Sequence, residues 1–66
     1  MQWIDIKKQS PKQNELVLCY DIKHDIQIVC KCFYDENEFF LYDIYGARLE
    51  DVISHWMTLP ESPIKG

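Results

Sequence analysis

Three runs of strand-forming residues follow one another with only short polar breaks between them, and this spacing most constrains the fold. Leu16–Ile22 (LVLCYDI), Ile26–Tyr34 (IQIVCKCFY) and Phe39–Tyr45 (FFLYDIY) are rich in β-branched and aromatic residues. Lys23-His24-Asp25 and Asp35-Glu36-Asn37-Glu38 separate them, and Gly46 ends the third. Breaks this short suit hairpins and leave no room for a long helix. Trp3–Ile6 reads as a short first strand, and Gln9–Asn14, polar and carrying Pro11, as a loop. Val52–Leu59 reads as a last strand, closed by Pro60 and Pro63. Ala47–Asp51 has the length of one helical turn and cannot stand as a helix alone. The expectation is a mostly β, small single domain over residues 1–66. It is an antiparallel sheet of about five short strands, a meander or partly open barrel, with at most one short helical turn.

A three-residue loop at Lys23–Asp25 would set Ile22 opposite Ile26, Tyr20 opposite Ile28, Leu18 opposite Cys30 and Leu16 opposite Cys32. One face would then be nearly all apolar. The other, with Val17, Cys19 and Asp21, would be mixed, as a one-sided sheet requires. This register puts Cys19 on the opposite face from Cys30 and Cys32.

The chain has 66 residues, of which 47% are hydrophobic and 14% aromatic, enough for one efficiently used core. No basic and apolar leader is visible near Met1, and no apolar run approaches membrane-spanning length. These features favour a cytoplasmic protein with no membrane partner, and three cysteines fit reduced thiols better than a disulfide framework.

Net charge is −4 and unevenly spread. Lys7, Lys8 and Lys12 against Asp5 give residues 1–14 a net of +2, whereas residues 15–51 carry a net of −6. The acidic middle would repel phosphate backbones, so a generic nucleic-acid binder is disfavoured. A nucleotide or nucleic-acid site could still be assembled from Lys7, Lys8, Lys12 and Trp3.

Chemistry-bearing patterns are sparse. Cys19, Cys30, Cys32, His24 and His55 lack the pair spacing of zinc knuckles. Ser54 and His55, adjacent on a strand, should point to opposite faces and not pair. There is no glycine-rich phosphate loop. The expectation is therefore no enzyme, no cofactor and no metal. Nine aromatic residues are many for this length, and Phe33-Tyr34 and Phe39-Phe40 place rings on both sheet faces. One set would be available to a partner or to a second copy.

The two ends carry a signature. Trp3-Ile4, the loop with Pro11, Val17-Leu18-Cys19-Tyr20 and above all Ile53-Ser54-His55-Trp56-Met57-Thr58-Leu59-Pro60-Glu61-Ser62-Pro63 resemble the domain of unknown function 551 family. That family's ending reads V-T-H-W-M-P-L-P-E-P-P. The chain departs from the family pattern at Asp5, Gln9-Ser10, Thr58 and Ser62, and in the turns at Lys23–Asp25 and Asp35–Asn37. The resemblance implies a small accessory protein of phages, prophages or other mobile elements, acting on a host or phage protein. It brings no catalytic residues.

Together these readings give a non-enzymatic protein-interaction module. It would present Asp35, Glu36, Glu38, Glu50, Asp51 and His55 to a host or phage protein, in one version as an acidic inhibitor of a host defence protein. A homodimer through an edge strand or the aromatic face is compatible with it.

Overall fold

A computed structural model describes residues 2–60 and 63–64. Glu61 and Ser62 of the closing signature lie outside the described residues. Five strands, β1 (Ile4–Asp5), β2 (Leu16–Asp21), β3 (Ile26–Asp35), β4 (Glu38–Asp43) and β5 (Ile53–Thr58), form one antiparallel sheet in the order β1-β5-β2-β3-β4. The sheet is open, because β1 and β4 are unjoined edges. Strands β2 to β4 form a meander. Residues 44–52 then carry the chain back across the sheet, so that β5 enters between β1 and β2.

Among the described residues there is no helix, in keeping with at most one short helical turn, and Ala47–Asp51, long enough for that turn, is an isolated bridge followed by a tight turn. Arg48 bridges Tyr42, and Leu49 N–H donates to Leu41 O at 2.8 Å. The Leu49 carbonyl then accepts from Val52 and Ile53.

The β2–β3 register differs by one residue from the expectation. Asp21 pairs with Ile26, Cys19 is opposite Ile28, and Val17 is opposite Cys30. Ile22–Asp25 is thus a four-residue loop. The reason is Asp21, which is only 2% exposed. Its carboxylate accepts the N–H groups of Lys23 and His24 at 2.9 and 3.0 Å and contacts His24 Nδ1 at 2.8 Å. Asp25, at φ 56°, closes the loop by donating to Asp21 O at 2.8 Å, a left-handed conformation that Asp tolerates. Satisfying these amides turns Asp21, and with it Cys19 and Val17, inward. Cys19 therefore shares the core with Cys30 and Cys32, and the more apolar alternate, Leu16, Leu18, Tyr20 and Ile22, faces outward.

The core lies on one face of the sheet. Val17, Cys19, Cys30, Cys32, Leu41, Ile53 and Trp56 are buried there, with Ile4, Ile28, Tyr34 and Phe39 packed against them. Among the described residues no second sheet covers this face, and two loops do so. Residues 6–15 bring Ile6 and buried Pro11, and residues 44–52 bring Leu49 and Val52. Side-chain hydrogen bonds fasten the first loop. Trp56 Nε1 donates to Gln9 O at 2.8 Å, and Tyr34 Oη donates to Pro11 O at 2.7 Å. The Gln13 amide accepts from Tyr34 N–H at 2.6 Å and donates to Tyr34 O at 3.3 Å, extending the β3 ladder with a side chain.

Leu41 is fully buried, so Leu41→Ala should cost about 2–5 kcal/mol through lost transfer energy and a residual cavity, read from the urea unfolding midpoint. Burial would raise the Asp21 carboxyl pKa, but hydrogen bonds from the His24 ring and from the His24 and Lys23 amides outweigh it and hold the group below its ordinary value. A depressed folded pKa stabilises above the unfolded value near about 4 and is lost as pH falls through the folded one. The urea midpoint should therefore drop on acidification below that range. Asp21→Asn should lower the midpoint at neutral pH and shrink the acid-dependent drop.

Candidate functional site

The face opposite the core is built by the same register. Reading across the strands, Asp5, His55, Tyr20 and Gln27 form one row, because each pairs with the next. Met57, Leu18 and Val29 form the next row, then Leu16, Lys31 and Tyr42, then Phe33 and Phe40. The Asp35–Glu38 pair closes the far end. Among the described residues no loop lies over this surface as the loops lie over the core face. Trp3, Leu16 and Phe33 are exposed, and Tyr20, Leu18, Val29, Phe40, Tyr42 and Met57 are half-buried among their neighbours. Ring contacts order it: Trp3–Tyr20 at 6.1 Å between centroids, Phe33–Phe40 at 6.4 Å and Phe40–Tyr42 at 6.2 Å. The Arg48 guanidinium caps the Phe40 ring at 4.6 Å.

At one end of this face Trp3, Tyr20, Gln27 and His55 line an open depression of about 320 Å³. A second recess shares His55 and is lined also by Asp5, Lys7, Asp51 and Ser54. His55 sits between the two. Its Nδ1 is hydrogen-bonded to the Ser54 hydroxyl at 2.8 Å, contrary to the expectation that these neighbours point apart. The cause is a β-bulge. Tyr20 pairs with His55 but Asp21 pairs with Ile53, so Ser54 is the extra residue and alternation fails there. The sign of this in the sequence is Ile53 and Trp56, three apart and both buried.

The acidic residues do not form one edge. Asp35, Glu36 and Glu38 are exposed at the β3–β4 turn, where Glu36 has φ 58°. Asp51 is exposed beside His55, at the other end of the sheet. Along β3 those ends are separated by about 30 Å at 3.3 Å per residue. Glu50 is committed to the fold. It accepts Leu41 N–H at 3.1 Å and pairs with Arg48 at 2.7 Å, and these contacts outweigh burial to hold its pKa below the ordinary range. With Asp43 N–H donating to Ala47 O at 3.0 Å, Glu50 blocks part of the outer edge of β4.

The basic residues are likewise divided. Lys8 and Lys12 belong to the loop over the core face, whereas Trp3 contacts Tyr20 on the open face, and only Lys7 reaches the His55 recess. Tyr20 and Gln27 were not singled out by sequence reasoning, because the outward phase of β2 depends on the Asp21 loop.

All three cysteines are free and buried. The hydrogen bond between Cys19 and Cys30, with burial, holds the Cys19 thiol well above its ordinary pKa, and the same bond outweighs burial to lower that of Cys30. Burial likewise raises Cys32, whose thiol donates to Pro11 O. Among the described residues no group of three or more His, Cys, Asp or Glu is arranged to hold a metal ion, and no helix is long and apolar enough to cross a membrane.

Removing the edge block should have two effects. Glu50→Ala leaves Leu41 N–H open, and is expected to lower the thermal midpoint and to produce concentration-dependent self-association by sedimentation velocity.

No curated protein and no solved structure matches the chain. The family model described as Protein of unknown function (DUF551) matches residues 2–64, nearly the whole chain, and the protein belongs to that family.

Proposed function

We propose that the chain is a non-catalytic protein-interaction module that docks a protein partner on the open face of its sheet. The observation that carries this reading is the continuous band from Trp3 and Tyr20 through Leu18, Leu16 and Tyr42 to Phe33 and Phe40. Aromatic, rigid and only partly buried, it has the composition of an interface centre. Carboxylates lie at both ends, Asp5 and Asp25 at one and Asp35, Glu36 and Glu38 at the other, with Lys31 between. The fitting partner has an apolar centre and a basic rim.

A hydrolytic reading draws less support. The Ser54–His55 contact is between sequence neighbours, and β5 is an interior strand whose amides serve ladders to β1 and β2 instead of converging on a reacting oxygen. In the finer version of the proposal, the protein is a mobile-element product that acts in the host cytoplasm as an inhibitor of a defence protein. Its Asp35–Glu38 turn then enters the partner's basic groove.

The test is capture of partners from nuclease-treated host lysate, read by mass spectrometry, with wild type, Phe33→Arg and Glu36→Lys/Glu38→Lys compared after each is shown to fold by its thermal melt. A protein captured by wild type and reduced about tenfold or more by Phe33→Arg supports the docking face. Equal capture by Phe33→Arg removes it. Equal capture by the turn variant removes only the inhibitor version, and recovery of nucleic acid in place of protein favours the Lys7, Lys8, Lys12 and Trp3 reading.

A further inference from the structure

We infer that the Trp3–Tyr20 corner is a subsite for an arginine side chain of the partner, an inference that rests on the open face being the docking surface. The two rings stand 6.1 Å apart at 57° and line an open depression together with His55 and Gln27. A guanidinium is flat and weakly hydrated, so it stacks on one ring while its edge donates hydrogen bonds. The Gln27 side chain is exposed at the rim and offers a carbonyl oxygen as acceptor.

The charges select a cation. Asp5 begins the row that contains His55 and Tyr20, and Asp51 lines the adjoining recess. Asp25 accepts the Tyr20 hydroxyl at 2.6 Å. That bond fixes the phenol and adds electron density to the ring, strengthening its attraction for a cation. Asp5, Asp51 and Lys7 line the adjoining recess and Asp25 holds the Tyr20 hydroxyl, so carboxylates outnumber ammonium groups around the corner. A phosphate or carboxylate ligand meets the same carboxylates as repulsion. A lysine would gain the charge term but would lose the stacking, because its ammonium is compact and strongly hydrated.

The test uses the isotope-labelled full chain and two-dimensional nuclear magnetic resonance. The two indole N–H signals separate the roles: Trp3 reports the subsite, and Trp56, bonded to Gln9 O in the core, reports the fold. The ligands are acetyl-Gly-Arg-Gly-amide, its lysine and citrulline counterparts, and adenosine monophosphate. The arginine peptide should shift the Trp3 indole and the Gln27 and His55 amides saturably, with millimolar affinity about tenfold above that of the citrulline peptide. Trp3→Ala should remove the Gln27 and His55 shifts while the Trp56 signal stays in place, and Asp25→Asn should weaken binding.

Equal shifts from citrulline overturn the guanidinium assignment, as does binding of the nucleotide alone. No saturable shift with the arginine peptide up to its solubility limit overturns the subsite. That failure is distinguishable from failure of the docking face, because Phe33→Arg probes the opposite end of the band.

Discussion

The structure depends on two side-chain hydrogen bonds that hold a loop over one face of a single sheet. A chain of this length makes five short strands and has nothing left for a second layer. The apolar side chains of one face must still leave water. Trp56 on Gln9 O and Tyr34 on Pro11 O fasten residues 6–15 across that face, one from β5 and one from β3. Both donors are aromatic residues whose rings sit at the core while their polar atoms reach the loop backbone, so burial and fastening are one event. The connection from β4 to β5 covers the rest with Leu49 and Val52. Having spent both long loops on one face, the chain leaves the other open.

The strands were legible in the sequence because strand formers and short polar breaks alternate at hairpin spacing, although the third stops at Asp43, short of the expected Tyr45, where the Asp43 carboxylate accepts the Tyr45 and Ala47 amides. The phase of β2 was not. Judged by side-chain hydrophobicity, Leu16, Leu18, Tyr20 and Ile22 outrank Val17, Cys19 and Asp21, yet the less apolar set is inside. Four loop residues need partners for their amides, and an inward Asp21 supplies two of them from a buried position. Turn chemistry decided the register, and the register decided which residues meet the core. Cys19 joining Cys30 and Cys32 is one consequence, and Tyr20 meeting Trp3 is another.

The candidate site was legible in part for related reasons. His55 stood out through the closing signature, and it does lie between two recesses. Its bond to Ser54 contradicts simple alternation because the bulge adds one residue to β5 opposite Tyr20. The acidic residues, counted together in one stretch of sequence, separate in space because β4 carries the chain from the Asp35–Glu38 turn back toward the other end of the sheet before Asp51 is reached. Glu50 shows how little a residue's charge says of its task. It lies in an acidic stretch, yet it serves as a backbone acceptor at a sheet edge.

That edge sharpens the meaning of the open face. Unpaired strands invite association with other chains, and here Glu50, Ala47 and Arg48 close part of the edge of β4 with hydrogen bonds and a bridge. Among the described residues the open face has no comparable cover. Arg48 reaches Phe40, but Trp3, Leu16 and Phe33 remain in contact with water. A chain that shields a polar edge while leaving an aromatic band wet bears a cost in solubility, which carboxylates at the two ends of the face offset through charge. The same carboxylates discourage a second copy of the chain from covering the band, because acidic ends repel acidic ends. The face is thereby matched in charge to a basic surface and mismatched to an acidic one.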